Sequence, residues 1–413
     1  MPQPLCCRLA WVSCVLRHGT SPVIERERKP MKAILVMIHC PSNTGYAIAT
    51  LEAAFFKMAE ALVGNDHSKI HFSYSDLNAG APKSLPESFT NVIAFDPAST
   101  QPEDGERIKG YIQANQIDVV FGFDQPVRRP MYPYLRAGGV RKFISYWGAP
   151  MSSLNTGLKL LAKRVEVCLS RSGPDHYIFE SKGMQQTAVY GRGIAAHNTS
   201  VTYIGIDPDQ YFPEPAKKDY VYDTIQIPRD RKVFIFTGHM EERKGVRILI
   251  EAAKYLIEHQ HRRDFHLLIL GNINGQEARF LQMLEGSEAA QHVTFGGYRN
   301  DIKYLLKGCY AGLIASIGWD SFTCSSLEMA ASGMPLIVSD LIGLNETVEN
   351  GVTGFLFPTG DAQALAGKME HLLQNQSLRN QLGEAARDRV LKKFTTAIQL
   401  ANLIETVRTV DQQ

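Results

Sequence analysis

Short apolar runs recur along this chain in two series, each run separated from the next by a helix-length stretch, and no other feature limits the fold as strongly. The first series falls at residues 34–38, 71–74, 92–95, 119–123, 143–147, 177–179 and 201–204. The second falls at 233–236, 267–270, 293–295, 313–315, 336–338 and 355–357. Such runs, rich in Val, Ile, Leu and Phe, predict buried parallel strands joined by helical crossovers. The segment 45–63 illustrates the crossovers. There Leu51, Phe55, Met58 and Leu62 form one apolar stripe at helical spacing, opposite Glu52, Lys57 and Glu60. A turn-rich stretch at 207–215 divides the two series. The expectation is an α/β protein with two Rossmann-like, doubly wound domains, at residues 31–205 and 206–395. A last helix within 396–413 carries Leu400, Leu403, Ile404 and Val407 on one face.

At 413 residues the chain is long enough for two such domains. With 44% hydrophobic and 21% charged residues and a net charge of +2, the whole-chain balance implies neither a nucleic-acid partner nor an anionic membrane. The seven cysteines (Cys6, Cys7, Cys14, Cys40, Cys168, Cys309 and Cys324) follow no metal or redox spacing. An odd, scattered set points to reduced thiols and a cytoplasmic home. No stretch approaches the apolar length that spans a bilayer. Residues 1–30 look foreign to the rest. Their apolar part is interrupted by Arg8 and lacks the basic start and small-residue cleavage site of a signal peptide. They read as a poorly ordered extension, or as sequence preceding a true start at Met31.

The chemistry concentrates in the stretch Gly318-Trp319-Asp320-Ser321-Phe322-Thr323-Cys324-Ser325-Ser326-Leu327-Glu328. A loop carries Asp320, a helix begins near 324–326, and Glu328 falls on its second turn. Gly333 and Pro335 then close the helix before the next strand. Small polar residues at the helix start leave free backbone N–H groups, which with the helix dipole make an anion site. Two carboxylates beside an anion site suit a ligand with hydroxyls around a phosphate, such as a nucleotide sugar.

This acid–seven residues–acid element resembles the signature of retaining GT-B glycosyltransferases of family four, with Asp in the first acidic position. The resemblance extends over most of the second half. Thr237-Gly238-His239-Met240-Glu241-Glu242-Arg243-Lys244-Gly245 looks like the family's element in which Arg and Lys clamp the donor diphosphate. Lys244 matches the lysine, while His239 stands where Arg is usual and Arg243 is a candidate replacement. A cation at a helix start opposes the dipole, which favours an anionic partner. Phe295-Gly296-Gly297-Tyr298-Arg299 resembles the family's turn against the nucleobase, and Tyr298 is a candidate stacking contact. Gly343, Gly351 and Gly354 resemble structural turns of the same family.

The resemblance implies the GT-B architecture, with the donor in an interdomain cleft and the final helix crossing back to the first domain. It implies Asp320 beside the donor sugar, Lys244 on the leaving diphosphate and Glu328 on the ribose. It places Gly45, Gly238, His239, Arg243, Tyr298, Phe322, Thr323, Ser325, Ser326 and Leu327 around the donor. In the first half, Pro41-Ser42-Asn43-Thr44-Gly45 stands at the family's glycine-rich loop with Gly45 as its one clear glycine. The dinucleotide fingerprint G-x-G-x-x-G is absent, which argues against an NAD enzyme. The segment 145–150 lacks the histidine many family members carry near the donor sugar, and Thr323 occupies a usual glycine position.

Two signals are read as structural. Asp207-Pro208-Asp209 is a turn rather than a metal-binding pair, and no metal is expected. The segment 154–171 carries Lys159, Lys163, Arg164 and Arg171 against Leu154, Leu158, Leu161, Val165 and Cys168. Contact with an anionic membrane or a lipid-diphosphate acceptor is one reading; a solvated basic face on a core-packed helix is the favoured one. The expected activity is metal-independent, retaining sugar transfer from a UDP- or GDP-sugar co-substrate, with no further cofactor. The acceptor is a glycan, a lipid-linked or a small molecule; nucleic acid is not a partner, and peripheral contact at the inner membrane face stays open. The competing readings are another GT-B enzyme, such as a phosphorylase or sugar-nucleotide epimerase, and a weakly active nucleotide-sugar-binding subunit.

Overall fold

The first strand, β1 (Ile34–Ile38), is buried along its whole length, as a central parallel strand covered on both faces must be. It belongs to a computed structural model that describes residues 31–413; the expectation for residues 1–30 lies outside the described residues. Around β1 assemble β2 (Ile70–Tyr74), β3 (Val92–Ala94), β4 (Val119–Phe123), β5 (Lys142–Trp147), β6 (His176–Phe179) and β7 (Thr199–Val201). All pair in parallel, in the order β3-β2-β1-β4-β5-β6-β7. The second sheet comprises β8 (Lys232–Thr237), β9 (Phe265–Leu270), β10 (Val293–Phe295), β11 (Ala311–Ile314), β12 (Leu336–Ser339) and β13 (Gly354–Phe357). Its order, β10-β9-β8-β11-β12-β13, repeats the pattern of the first. The order of strand addition therefore reverses in each sheet between two adjacent parallel strands, β1/β4 and β8/β11. Loops leaving the carboxyl ends of such a pair diverge and open a crevice.

Each sheet packs between two apolar layers. On one side of the first, Phe55, Phe72, Phe121 and Tyr146 cluster with Leu51 and Met58 of the Tyr46–Val63 helix. Glu52, expected on the outer face, is buried instead and accepts a hydrogen bond from Ser84. Loop residues Leu77, Leu85 and Phe89 cover this part of the core, and helical periodicity does not foresee such a lid.

The strand expected at 201–204 lies earlier, at Thr199–Val201, where it finds pairing partners in Tyr177 to Phe179. The residues after it become the crossover between domains. Gly205 N–H donates to the Gln399 side chain at 3.0 Å, and Ile206 pairs with Thr395. A Cβ on Gly205 would stand 2.3 Å from Thr395 O, so the two crossing segments approach only because that residue is glycine. The final helix, Thr396–Gln412, then buries Leu403, Val407 and Val410 in the first domain's core.

The Gly157–Leu169 helix departs from the favoured expectation of a core-packed element. None of its residues is buried. Val167 touches a small cluster around Phe179, while Leu158 is 84% exposed. It packs on the 187–192 turn, and its Leu stripe is exposed.

Candidate active site between the domains

The loops after β8 and β11 are neighbours because those strands pair, with Ala311 opposite Phe234 and Gly312 opposite Ile235. The first loop ends in Gly245, which has φ +72°, and a Cβ there would lie 1.8 Å from Ala315 O. Only glycine allows the loop to press against the end of β11. Ile317 and Gly318 N–H groups donate to Arg243 O at 2.7 and 3.2 Å, locking the two loops together.

This docking delivers Lys244 to Asp320. The ammonium Nζ stands 2.7 Å from Oδ2, which also accepts from Ser316 Oγ at 2.7 Å. Oδ1 accepts the Ser321 N–H at 3.1 Å. Asp320 is buried, so its charge is compensated by a charged and two neutral donors rather than by water. Arg243 lies behind the pair, with its guanidinium 4.0 Å from the Trp319 ring centroid and 2.6 Å from Glu241 Oε2.

The Cys324–Ala331 helix starts at Thr323, whose Oγ1 accepts the Ser326 N–H at 3.4 Å. Ser326 Oγ returns a bond to Thr323 O at 2.7 Å. The threonine thus takes one first-turn amide and leaves those of Cys324 and Ser325 for an anion. Glu328, one turn on, is buried and accepts from the Tyr46 hydroxyl at 3.0 Å. Burial raises the Glu328 carboxyl above its ordinary range, against the pull of Tyr46 and Tyr211. Burial and then the Glu328 charge push Tyr46 up to about 12.

The remaining residues singled out by sequence separate into groups. Gly45 precedes the Tyr46–Val63 helix with open space where a Cβ would stand. Gly238 continues β8, its N–H donating to Leu270 O at 3.1 Å. His239 and Tyr298 are exposed. Ser325 is half-buried at the helix start. Phe322 and Leu327 are 1% exposed, with side chains in the second domain's core. At those two positions the backbone alone is left to meet a donor, because the side chains anchor the loop and helix from below.

Sequence reasoning missed an acidic group contributed by the first domain. Asp124 follows β4 with φ +50°, a backbone conformation uncommon for a residue with a side chain. Its carboxylate accepts the Gly148 N–H at 3.0 Å, yet desolvation pushes it up to about 7. Glu180, after β6, is raised well above its ordinary range by burial, with Asp124 and Asp320 adding repulsion. The buried Tyr146 and Ser321 hydroxyls beside Glu180 pull the other way. The segment 145–150, noted for lacking histidine, thus borders a carboxyl-rich wall. The positions after strands at a switch point were the available signal, and Asp124 occupies one of them. Among the described residues, no group of three or more His, Cys, Asp or Glu is arranged to hold a metal ion.

A sheet pair of this topology, joined by two adjacent crossovers and closed by a returning helix, is the GT-B architecture. Residues 223–389 match the family model described as Glycosyl transferases group 1, so the second half carries a domain of that type. The chain is 26% identical over 195 residues to a UDP-Gal:alpha-D-GlcNAc-diphosphoundecaprenol alpha-1,3-galactosyltransferase of Escherichia coli, covering 47% of this chain and 50% of that protein. It is 30% identical over 187 residues to a phosphatidyl-myo-inositol mannosyltransferase of Mycobacterium leprae, covering 44% and 48%. The chain thus spans about half the length of the curated relatives it matches. Among solved structures, a glycosyltransferase from Rickettsia africae superposes with a TM-score of 0.77 at 21% identity, over 92% of this chain and 98% of that one. Anabaena Alr3699/HepE in complex with UDP gives 0.72 at 19%, over 91% and 100%. The two-domain expectation is met along nearly the whole described chain.

Proposed function

We propose that the protein is a retaining, metal-independent glycosyltransferase that draws on a nucleotide-diphosphate sugar. The observation that carries this reading is the Lys244–Asp320 pair at the β8/β11 switch point, with Glu328 one helix turn beyond a partly free helix N-terminus. A diphosphate seated on the Cys324 and Ser325 amides attracts Lys244, which then stabilises the charge that grows as the glycosidic bond breaks. Asp320, relieved of part of its cation, orients donor-sugar hydroxyls. Glu328 exchanges the Tyr46 hydroxyl for those of the ribose. The anomeric carbon trades its bond to the diphosphate oxygen for one to an acceptor oxygen, and the departing phosphate takes the acceptor's proton. Asp124 and Glu180 stand on the acceptor side, where carboxyls raised by burial both donate and accept hydrogen bonds.

UDP-sugars are the first donors to test, because HepE is solved with UDP and with UDP-glucose. The relatives named above act on a diphosphoundecaprenol-linked sugar and on a phosphatidylinositol, which favours a lipid-linked acceptor over a free glycan or small molecule. The experiment is a thermal-shift and transfer panel of UDP- and GDP-sugars on the wild type, Lys244→Ala and Glu328→Gln. A donor should raise the melting temperature of the wild type through native-state binding, and less in both variants. An equal shift in all three proteins removes the site from this position.

A second reading is a sugar-nucleotide-binding subunit with little turnover. The exposed His239 and the Thr323 cap favour it, since one leaves a diphosphate short of a cation and the other consumes an amide. Saturable nucleotide binding without transfer or donor hydrolysis distinguishes it.

A further inference from the structure

The Gly157–Leu169 helix presents Leu158, Leu161, Val165 and Leu169 in one stripe, at spacings of three and four residues. All four side chains are exposed, Leu158 at 84% and Leu169 at 75%, and Leu154 extends the stripe ahead of the helix. Five of the fifteen exposed large hydrophobic side chains among the described residues fall on this single segment. At 100° per residue, Lys159 borders the stripe on one side and Arg164 on the other, Lys163 lies round on the far face, and Arg171 follows the helix. The exposed Tyr190 is close by, because its backbone carbonyl accepts the Asn155 N–H at 3.0 Å.

The helix has one acid, Glu166, on the Lys159 side of the stripe, and two cations pair with it. Arg192 grips both its oxygens at 2.6 and 2.8 Å, and Lys163 approaches at 3.4 Å. Five cations (Lys159, Lys163, Arg164, Arg171 and Arg192) therefore face one carboxylate, a local surplus of four positive charges. The chain as a whole has a net charge of only +2, so the excess is a property of this face.

We propose that this face docks the protein on an anionic lipid bilayer, with the leucine stripe in the headgroup–acyl boundary and the flanking cations on lipid phosphates. An exposed apolar stripe bordered on both sides by Lys and Arg is the chemistry of an interfacial helix. A second copy is disfavoured, since apposing two such faces brings two basic borders together. The helix begins just after the carboxyl end of β5, the sheet edge that also carries Asp124 and Glu180. Docked this way, the protein holds its crevice near the lipid surface, where a lipid-borne acceptor is presented. The docking stands on the helix itself and does not depend on the sugar-transfer reading.

The test is co-sedimentation of the full-length protein with vesicles of phosphatidylcholine alone or mixed with phosphatidylglycerol. Leu158→Asp/Leu169→Asp and Lys159→Glu/Arg171→Glu are compared with the wild type. These side chains are exposed, so the melting temperature of each variant should stay within ~2 °C of the wild type. The expected result is binding to the anionic vesicles that weakens with salt and falls by about tenfold or more in both variants. Failure of the wild type to bind anionic vesicles overturns the proposal, as does equal binding by the leucine variant. A concentration-dependent dimer that Leu158→Asp/Leu169→Asp dissolves would assign the stripe to a second copy and overturn it too.

Discussion

The hydroxyl of Tyr46 donates to Glu328 Oε1 at 3.0 Å across 282 positions of sequence. Tyr46 opens the first long helix of one domain, and Glu328 lies on the helix that bears the proposed anion site of the other. The carboxylate proposed to bind a ribose is thus held by a phenol from across the domain boundary. On that proposal, ligand entry and domain contact compete for the same carboxylate.

Removing that phenolic hydroxyl should separate the two roles. Tyr46→Phe is expected to lower stability by about 1 kcal/mol. It should also tighten UDP-sugar binding by roughly threefold, because the ribose no longer displaces a hydrogen bond. Isothermal titration gives the answer; weaker binding in the variant would make Tyr46 a ligand contact.

Lys244→Ala leaves Asp320 buried with Ser316 Oγ, the Ser321 N–H and only the more distant Arg243 guanidinium, at 3.9 Å. The loss should be about 3 kcal/mol in urea unfolding, since a buried charge has lost its close partner. Transfer should fall by about 10² or more if the ammonium also serves the leaving diphosphate. Lys244→Met/Asp320→Asn, which removes both charges, should recover most of the stability and none of the activity. Recovered activity in the double variant would exclude Lys244 from the chemistry.

Thr323→Ala uncaps the Cys324–Ala331 helix. The expected cost is about 1 kcal/mol, with Ser326 N–H released for a ligand. Nucleoside-diphosphate affinity should rise as the melting temperature falls. A parallel loss of both would show that the threonine hydroxyl itself holds the ligand.

The pH dependence follows from Asp124. Its folded-state value of about 7 lies above the ordinary value of 3.8. Between these values the folded protein keeps a proton that the unfolded chain has lost. The associated stability is full below about pH 4 and disappears as pH rises through about 7. The wild type should therefore melt lower at pH 8 than at pH 5.5, and Asp124→Asn should lose distinctly less over the same interval. Parallel profiles for the two proteins would assign the dependence to Glu180 or another group.

Glu346 supplies a second tie between the domains. Its carboxylate accepts the Lys182 and Gly183 N–H groups at 3.1 and 2.7 Å and the Tyr203 hydroxyl at 2.8 Å. Glu346→Ala should open the domains, read as a larger radius of gyration in solution scattering and faster proteolysis near residues 205–206 and 394–396. An unchanged scattering profile would show that the Tyr46–Glu328 contact and the returning helix suffice.

The strand series and the turn at 207–215 were enough to read two doubly wound sheets, because burial on both faces leaves a continuous apolar run in the chain itself. Lys244, Asp320 and Glu328 were legible for a related reason. Each sits beside a local signal, either a glycine turn or a helix start, that follows a strand end. Tyr46 carried no comparable signal, and Asp124 and Glu180 had only their places after strand ends. Their surroundings are built from other elements (Glu328 for Tyr46, Gly148 for Asp124, Asp124 and Asp320 for Glu180), and one-dimensional spacing does not encode which surfaces meet. The Gly157–Leu169 helix shows the same division most plainly. Periodicity predicted its apolar stripe and basic borders correctly, yet the same pattern describes a helix packed on a core and a helix left bare. Amphipathicity records that a face is apolar; only the packing of the folded chain determines whether protein covers that face or leaves it exposed.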